Sequence, residues 1–97
     1  MTTLDDLDRS DMERLCKGGD SALNSLMDRH AEKLFHYLLR QLGNEQDAED
    51  VAQESFVRVY QNRARFDPAR KFSTWLYTIA TNLSRDRLRY RARHPNL

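Results

Sequence analysis

The sequence predicts an all-α domain, a compact bundle of one short and three long helices. The 97 residues include only three glycines and two prolines, so the secondary-structure elements must be few and long. Between these breaks, apolar residues recur every three or four positions, which is the spacing of one helix face and not of a strand. There is no internal repeat or low-complexity segment, so a single core is expected at this length.

The first helix is the short one, and it is placed at about residues 10–17. Ser10 can cap its N-terminus, and Gly18 can take the left-handed position after its last turn. The second helix is capped by Asp20 and ends at Gly43. Its predicted apolar stripe consists of Leu23, Met27, Ala31, Leu34, Leu38 and Leu42.

The third helix opens at Asn44, with Asp47 three residues later in a variant of the capping box. A connector over residues 62–70 ends it, because Pro68 and the polar residues around it break the helical pattern. The predicted inner face of this helix consists of Ala48, Val51, Ala52, Ser55, Phe56, Val59 and Tyr60.

The fourth helix can be capped by Ser73 and is expected to run to about Arg91 before Pro95 stops it. Its inward face consists of Phe72, Leu76, Ile79, Ala80 and Leu83. The apolar faces of the second, third and fourth helices are therefore expected to meet in one core.

Charge is distributed unevenly along the chain. The formal net charge is only +1, but residues 1–62 carry 7 Lys/Arg against 13 Asp/Glu, and residues 63–97 carry 9 against 2. This asymmetry predicts a basic surface that can meet phosphates and an acidic surface for a different partner. The acidic stripe on the third helix, taken alone, is more often a solvated face. It consists of Asp47, Asp50, Gln53, Glu54 and Gln61.

A polar ribbon lies on the outer face of the fourth helix. Thr, Asn and Tyr side chains can bind base edges or phosphates, and aromatic rings can stack on unpaired bases. Arginines in the preceding connector favour single-stranded or splayed bases over an intact major groove. The alternatives are a half-buried core role for Trp75 and a solubilising role for the arginine run. The ribbon is Thr74, Tyr77, Thr78, Thr81, Asn82 and Arg85, followed by Arg87, Arg89, Arg91 and Arg93.

Several other classes of protein receive no support. We read His30, Glu32 and His36 as not sharing one helix face, so no metal site is predicted. The absence of a Gly-rich phosphate loop and of a Ser/His/Asp arrangement predicts no enzyme and no cofactor. No apolar run approaches the roughly 20 residues that cross a bilayer, and the N-terminus has no leader pattern, so we expect a cytoplasmic protein. The single cysteine, Cys16, is expected to be a small buried hydrophobe.

Three separated stretches resemble region 2 of the extracytoplasmic-function sigma factors, a group of the sigma-70 family. Gly-Asp-Ser-Ala-Leu at residues 19–23 resembles the turn that opens the second helix of that family. Residues 47–60 look like its polymerase-binding helix, and residues 72–83 are similar to its helix that recognises the promoter minus-ten element. The resemblance covers residues 10–94, which is nearly the whole chain.

The resemblance implies a transcription initiation factor that binds RNA polymerase and melts the promoter minus-ten element. The third helix would dock on the β′ clamp helices, and the connector and fourth helix would hold bases and phosphates of the non-template strand. The residues implied in polymerase binding are Asp47, Asp50, Gln53, Glu54, Phe56, Val57 and Tyr60. The residues implied in DNA binding are Asn62, Arg63, Arg65, Lys71, Trp75, Tyr77, Thr78, Asn82, Arg85 and Arg89.

The resemblance also implies that residues 1–94 form the region 2 domain and that residues 95–97 begin a linker. We expect the second domain of the family, which reads the minus-thirty-five element, to be absent from this chain. Thr81 stands where many relatives carry Arg, which leaves the phosphate contact expected there in doubt. The free protein is expected to be a monomer without a membrane partner, and an anti-sigma factor is a further candidate partner.

Two other functions stay open. One is a helix-turn-helix regulator that reads duplex DNA, which needs two helices joined by a turn of about 3–4 residues. The other is a helical adaptor with no role in nucleic-acid binding. The long connector before the fourth helix disfavours the first, and the arginine-rich end disfavours the second.

Overall fold

The structure is a computed structural model and describes residues 1–95. It contains four α-helices and a 3-10 turn, and the described residues include no strand. Within residues 1–95, no helix has the length and apolar composition of a membrane span. The helices are α1 (Leu4–Cys16), α2 (Ser21–Leu42), α3 (Glu45–Gln61) and α4 (Phe72–Arg93), with the turn at Arg63–Arg65. The predicted all-α bundle is confirmed, whereas most of the linker predicted at residues 95–97 lies outside the described residues.

The first helix begins earlier than the sequence pattern predicted. Thr3 and Asp6 form a capping box, in which each side chain accepts a hydrogen bond of 3.1 Å from the backbone N–H of the other. The predicted start at Ser10 is therefore wrong, because a cap and not an apolar stripe defines this end. Gly18 and Gly43 have φ angles of +91° and +66°, so the left-handed ends predicted for the first two helices are confirmed.

Two of the predicted caps do not form. Asp20 occupies the N-cap position of α2, but its side chain makes no capping hydrogen bond. The fourth helix starts at Phe72, one residue before the predicted cap Ser73, and Lys71 at its N-cap position makes no side-chain bond. Burial of Phe72, which is 2% exposed, therefore fixes this helix start in place of a polar cap.

The hydrophobic core lies where α2, α3 and α4 meet, and α1 closes one side of it. The predicted stripe of α2 is partly wrong, because Ala22 and Leu26 are fully buried while Leu23 is only partly buried. The reason is that the α2 face carrying Arg29 and His30 packs against α1, a contact that periodicity did not reveal. The inner face predicted for α3 is buried except for the partly buried Tyr60.

A buried ion network joins α1 to α2. The Asp8 carboxylate accepts a hydrogen bond of 3.0 Å from Arg29 Nε, and it lies 2.9 Å from His30 Nε2. Asp11 accepts hydrogen bonds from Arg29 and Arg14. Burial alone would raise the pKa of Asp11, but these hydrogen bonds outweigh it and lower that pKa below its usual value. Two nearly buried carboxylates are thus paired at the α1–α2 contact, and the hydrogen bonds to Asp11 favour its charged form.

Two predictions for individual side chains are wrong. Cys16 is exposed. It is the last residue of α1, and its thiol bonds to the backbone of the 3-10 turn and does not enter the core. His36 and Glu32 do share a helix face, with Nε2 and Oε1 4.0 Å apart, since they are one turn apart. His30 turns away from them toward α1. Residues 1–95 contain no group of three or more His, Cys, Asp or Glu side chains that could hold a metal ion.

The substitution Asp8→Asn should lower the free energy of unfolding by about 2–3 kcal/mol, because it removes the buried carboxylate oxygen that accepts hydrogen bonds from Arg29 and His30. Urea unfolding followed by circular dichroism measures this change. The matched control is Asp28→Asn on the exposed side of α2, for which a change below about 0.5 kcal/mol is expected. Equal effects of the two substitutions would contradict the network's role.

Candidate nucleic-acid interface

The outer face of α4 forms a shallow groove that is open to solvent. All of its lining residues except Ser73 belong to the polar ribbon predicted from the sequence. The lining consists of Ser73, Thr74, Tyr77, Thr78, Thr81, Asn82 and Arg85. Hydroxyl, amide and guanidinium groups therefore follow one another along about 18 Å of helix, at a rise of about 1.5 Å per residue.

Tyr37 of α2 supports the middle of this ribbon. Its ring meets the ring of Tyr77 edge-on, with centroids 5.0 Å apart, and its hydroxyl lies 2.8 Å from Thr81 Oγ1. Burial raises the pKa of Tyr77, and the neighbouring Tyr37 raises it further while Arg40 opposes the shift. The Tyr77 phenol is therefore neutral at physiological pH and can donate or accept a hydrogen bond. The Thr81 hydroxyl is engaged with α2.

Trp75 belongs to an aromatic cluster at the start of α4. Its ring centroid lies 5.2 Å from that of Phe66 in the connector and 6.2 Å from that of Phe72. Phe66 and Phe72 are both buried, whereas Trp75 is only partly buried. Trp75 thus links the connector to α4 and still presents part of its surface to solvent.

The connector holds some of its polar side chains and leaves others exposed. The Asn62 amide donates to a backbone carbonyl one turn earlier in α3, at 2.9 Å. The Arg63 guanidinium lies 4.3 Å from the centroid of the Tyr60 ring and donates to the Tyr60 carbonyl at 2.8 Å. Arg65 and Lys71 are exposed. Arg70 is exposed as well and lies 3.6 Å from Asp67, so these three side chains provide the accessible positive charge of the connector.

The arginine run at the end of α4 divides into two helix faces. Arg85 lines the ribbon groove, and Arg89 is exposed one turn further along α4, with its Nη1 atom 3.1 Å from Asp86 Oδ1. Arg87 and Arg91 turn toward α3, where their Nη1 atoms lie 2.6 Å and 3.5 Å from the Asp47 carboxylate. Sequence reasoning missed this inward pair, although its spacing of one turn could have indicated a shared partner. Arg87 and Arg91 thus stabilise the bundle, whereas Arg85, Arg89 and Arg93 are exposed and available to a ligand.

Four of the residues predicted to bind polymerase lie on the exposed face of α3. Asp50 and Glu54 are one turn apart, and their side chains are 43% and 45% exposed. Gln53 and Val57 are exposed beside them. Arg58 donates to Glu54 at 3.0 Å along the helix, but the face stays acidic and keeps an apolar residue. It is suited to a helix with basic and apolar side chains.

The other three predicted members of this set are turned inward. Asp47 is engaged by two arginines of α4, and its side chain is 20% exposed. Phe56 is 2% exposed and packs in the core, so it cannot touch a partner directly and can only support α3 from within. Tyr60 is partly buried under the Arg63 guanidinium. Fewer side chains are therefore accessible on α3 than the sequence predicted.

Comparison with known proteins identifies related sequences over most of the chain. A profile of the Sigma-70 region 2 family matches residues 26–94. The chain is 47% identical over 78 residues to the ECF RNA polymerase sigma factor SigW of Bacillus subtilis, covering 80% of this chain and 42% of that protein. It is 41% identical over 79 residues to the RNA polymerase sigma factor CarQ of Myxococcus xanthus, covering 81% and 45%. The chain spans less than half the length of either relative.

A solved structure shares the same helix arrangement. It is the NMR structure of the complex formed by an engineered region 2 of sigmaE with GTAAAA. The TM-score is 0.84 at 38% sequence identity, and the alignment covers 93% of this chain and 94% of that chain. The four-helix arrangement is thus common to both chains along nearly their whole length.

Proposed function

The chain belongs to the sigma-70 region 2 family, among the extracytoplasmic-function sigma factors, and from that premise we propose how it acts in transcription initiation. It binds the RNA polymerase core through the exposed face of α3. Through the connector and α4 it captures non-template bases of the promoter minus-ten element and so melts the duplex. The role is binding without catalysis, in the cytoplasm where polymerase and promoter meet.

The observation that carries the DNA half of this proposal is the polar ribbon on α4. Tyr77, Thr78 and Asn82 offer hydrogen-bonding groups along one groove, and the exposed Arg85 and Arg89 continue it with positive charge. Such a surface can contact base edges and backbone together. The sigmaE region 2 structure with the same helix arrangement is a complex with GTAAAA, which supports nucleic acid as the ligand.

Strand separation needs binding energy and no covalent chemistry. Unpairing and unstacking a base costs a few kcal/mol, and stacking or pocketing it on protein returns about 1–3 kcal/mol per base. In this proposal, the partly exposed ring of Trp75 and the exposed Arg65 hold a base that leaves the stack. Because Thr81 is engaged with Tyr37, the phosphate contact falls to Arg85 and Arg89.

The acidic face of α3 supports the polymerase half of the proposal. Asp50, Gln53, Glu54 and Val57 form a surface that repels DNA phosphates and attracts a basic helix. The β′ clamp helices are the partner that family membership implies. Arg87 of α4 lies 2.6 Å from the carboxylate of Asp47 and 3.8 Å from that of Asp50, both on α3. These ion pairs hold α3 against α4.

The helix-turn-helix alternative fits the geometry poorly. Residues 62–71 separate α3 from α4, which is longer than the turn of about 3–4 residues in that motif. Residues 17–20 join α1 to α2, but α2 packs against the other three helices and cannot enter a groove. A turn of two residues joins α2 to α3. In a helix-turn-helix, that pairing would place the acidic α3 in the major groove, where DNA phosphates repel it.

The first prediction from this proposal concerns DNA affinity. The chain should bind a labelled single-stranded oligonucleotide containing GTAAAA, and log Kd should rise with log salt concentration with a slope of about 1.4, as two phosphate contacts by Arg85 and Arg89 require. The substitution Asn82→Ala should weaken binding about fivefold through loss of one hydrogen bond. Fluorescence anisotropy measures both effects. Asn82 is preferred over Trp75, whose truncation also disturbs the packing of Phe66.

The control for Asn82→Ala is Asn24→Ala, an exposed asparagine on α2, which should bind the oligonucleotide as the wild-type chain does. A reduction of equal size in both variants would count against the α4 ribbon. Tighter binding to the same site as intact duplex would reject strand capture and favour a duplex-reading regulator.

The second prediction concerns polymerase. The double substitution Asp50→Lys with Glu54→Lys should lower the affinity for a β′ clamp-helix fragment at least about tenfold, because it places like charges opposite a basic helix. Surface plasmon resonance with immobilised fragment measures the loss, and circular dichroism checks that the chain remains folded. Glu13→Lys with Asp28→Lys reverses the same charge away from α3 and should keep wild-type affinity. Undiminished capture of the Asp50/Glu54 variant would remove α3 as the docking face.

A further inference from the structure

The helix α1 holds both ends of the connector by hydrogen bonds to its backbone. Arg9 Nε donates to the carbonyl of Pro68 at 2.8 Å. The Cys16 thiol donates to the carbonyl of Arg63 at 3.2 Å. Arg9 and Cys16 are two turns apart and therefore lie on the same face of α1. One face of α1 thus spans the connector from its first residues to its proline.

A groove lined partly by apolar side chains lies between these two hydrogen bonds. Met12 of α1 and Phe66 of the connector line one groove, and they are 1% and 9% exposed. Phe66 in turn packs against Trp75, with ring centroids 5.2 Å apart. A continuous set of contacts therefore runs from α1 through the connector to the aromatic ring at the start of α4.

The backbone of the connector has little other support from regular structure. Its own backbone hydrogen bonds close local turns, such as Arg65 N–H to Asn62 and Arg70 N–H to Asp67. A loop of this kind loses conformational entropy when it orders around a ligand. Bonds that fix its backbone beforehand reduce that loss and increase affinity without touching the ligand.

We propose that α1 positions the connector for strand capture, with Arg9 and Cys16 as positioning residues in DNA binding. This inference rests on the proposed function, in which the connector captures a base. Neither side chain needs to touch DNA, because each acts through a carbonyl of the loop. The α1 helix thereby contributes to DNA binding, although no residue of α1 lines the α4 groove.

A matched pair of double variants tests this inference. Arg9 donates through Nε, and glutamine places its amide nitrogen at the same distance along the side chain, whereas methionine places a methyl group there. Serine in place of Cys16 keeps a donor, and alanine removes it. Arg9→Gln with Cys16→Ser therefore keeps both bonds, and Arg9→Met with Cys16→Ala releases both. The two variants have the same charge, so electrostatic attraction to phosphate is equal in both.

The bond-releasing variant should bind the labelled single-stranded GTAAAA oligonucleotide about fivefold more weakly than the bond-keeping variant, since two modest hydrogen bonds to the loop are lost. Both variants should bind the β′ clamp-helix fragment equally, because α3 is untouched. Amide hydrogen exchange at Ala69 and Arg70 should be faster in the bond-releasing variant. Equal binding of the fragment separates positioning of the loop from a general loss of structure.

Equal oligonucleotide affinities of the two variants would overturn the inference. A parallel loss of oligonucleotide and fragment binding would also overturn it, because it would show that α1 supports the whole fold and not the loop. Failure of the wild-type chain to bind the oligonucleotide would reject the proposed DNA role itself. In that case the exchange rates at Ala69 and Arg70 would still decide whether α1 holds the connector.

Discussion

The side chain of His30 joins three helices at the point on which the rest of the structure depends. Its Nε2 lies 2.9 Å from both carboxylate oxygens of Asp8 in α1. Its ring centroid lies 5.3 Å from that of Phe72 at the start of α4. Since Phe72 also packs against Phe66 and Trp75, the ion network and the aromatic cluster form one continuous unit. This unit fixes where α4 begins and where the connector re-enters the core.

The second constraint is that positive and negative side chains lie on different faces of the domain. Helical spacing produces this separation. Arginines alternate along the end of α4, so that Arg85 and Arg89 point outward while Arg87 and Arg91 face α3. The inward pair lies against Asp47, with Asp50 3.8 Å from Arg87, and the outward arginines leave a basic outer surface. The exposed remainder of α3 stays acidic. Two ligands of opposite charge can therefore bind one small domain without competing for the same surface.

Much of this arrangement could be predicted from the sequence, and the misses have physical causes. Periodicity and the Asn44 cap were sufficient for α3, since an amphipathic helix with a capping side chain carries its own signal. The start of α1 was missed because it depends on a capping box at Thr3. The buried face of α2 was missed because it depends on buried polar residues such as Asp8. Polar residues that pair in the interior look like surface residues in a sequence. The exposure of Cys16 likewise depends on the position of a distant loop.

In the candidate site too, features that depend on one helix were predicted from the sequence, and features that depend on contacts between helices were not. The α4 ribbon follows from spacing within one helix, so its predicted lining agrees with the groove. Phe56 and Asp47 fit the polymerase-binding pattern, yet their accessibility depends on contacts with other helices. Nothing in the spacing of Arg9 or Cys16 indicated a role for them, because their partners are backbone carbonyls, which carry no residue-specific signal.

The central claim is that one chain presents two separate faces, α4 with the connector for the DNA strand and α3 for polymerase. The most direct test is two-dimensional NMR of the isotope-labelled chain titrated with the single-stranded GTAAAA oligonucleotide. The account predicts that amide shifts change at Arg65, Thr78 and Asn82 and stay constant at Gln53 and Glu54. Shift changes concentrated on α3, or spread evenly over the bundle, would contradict it.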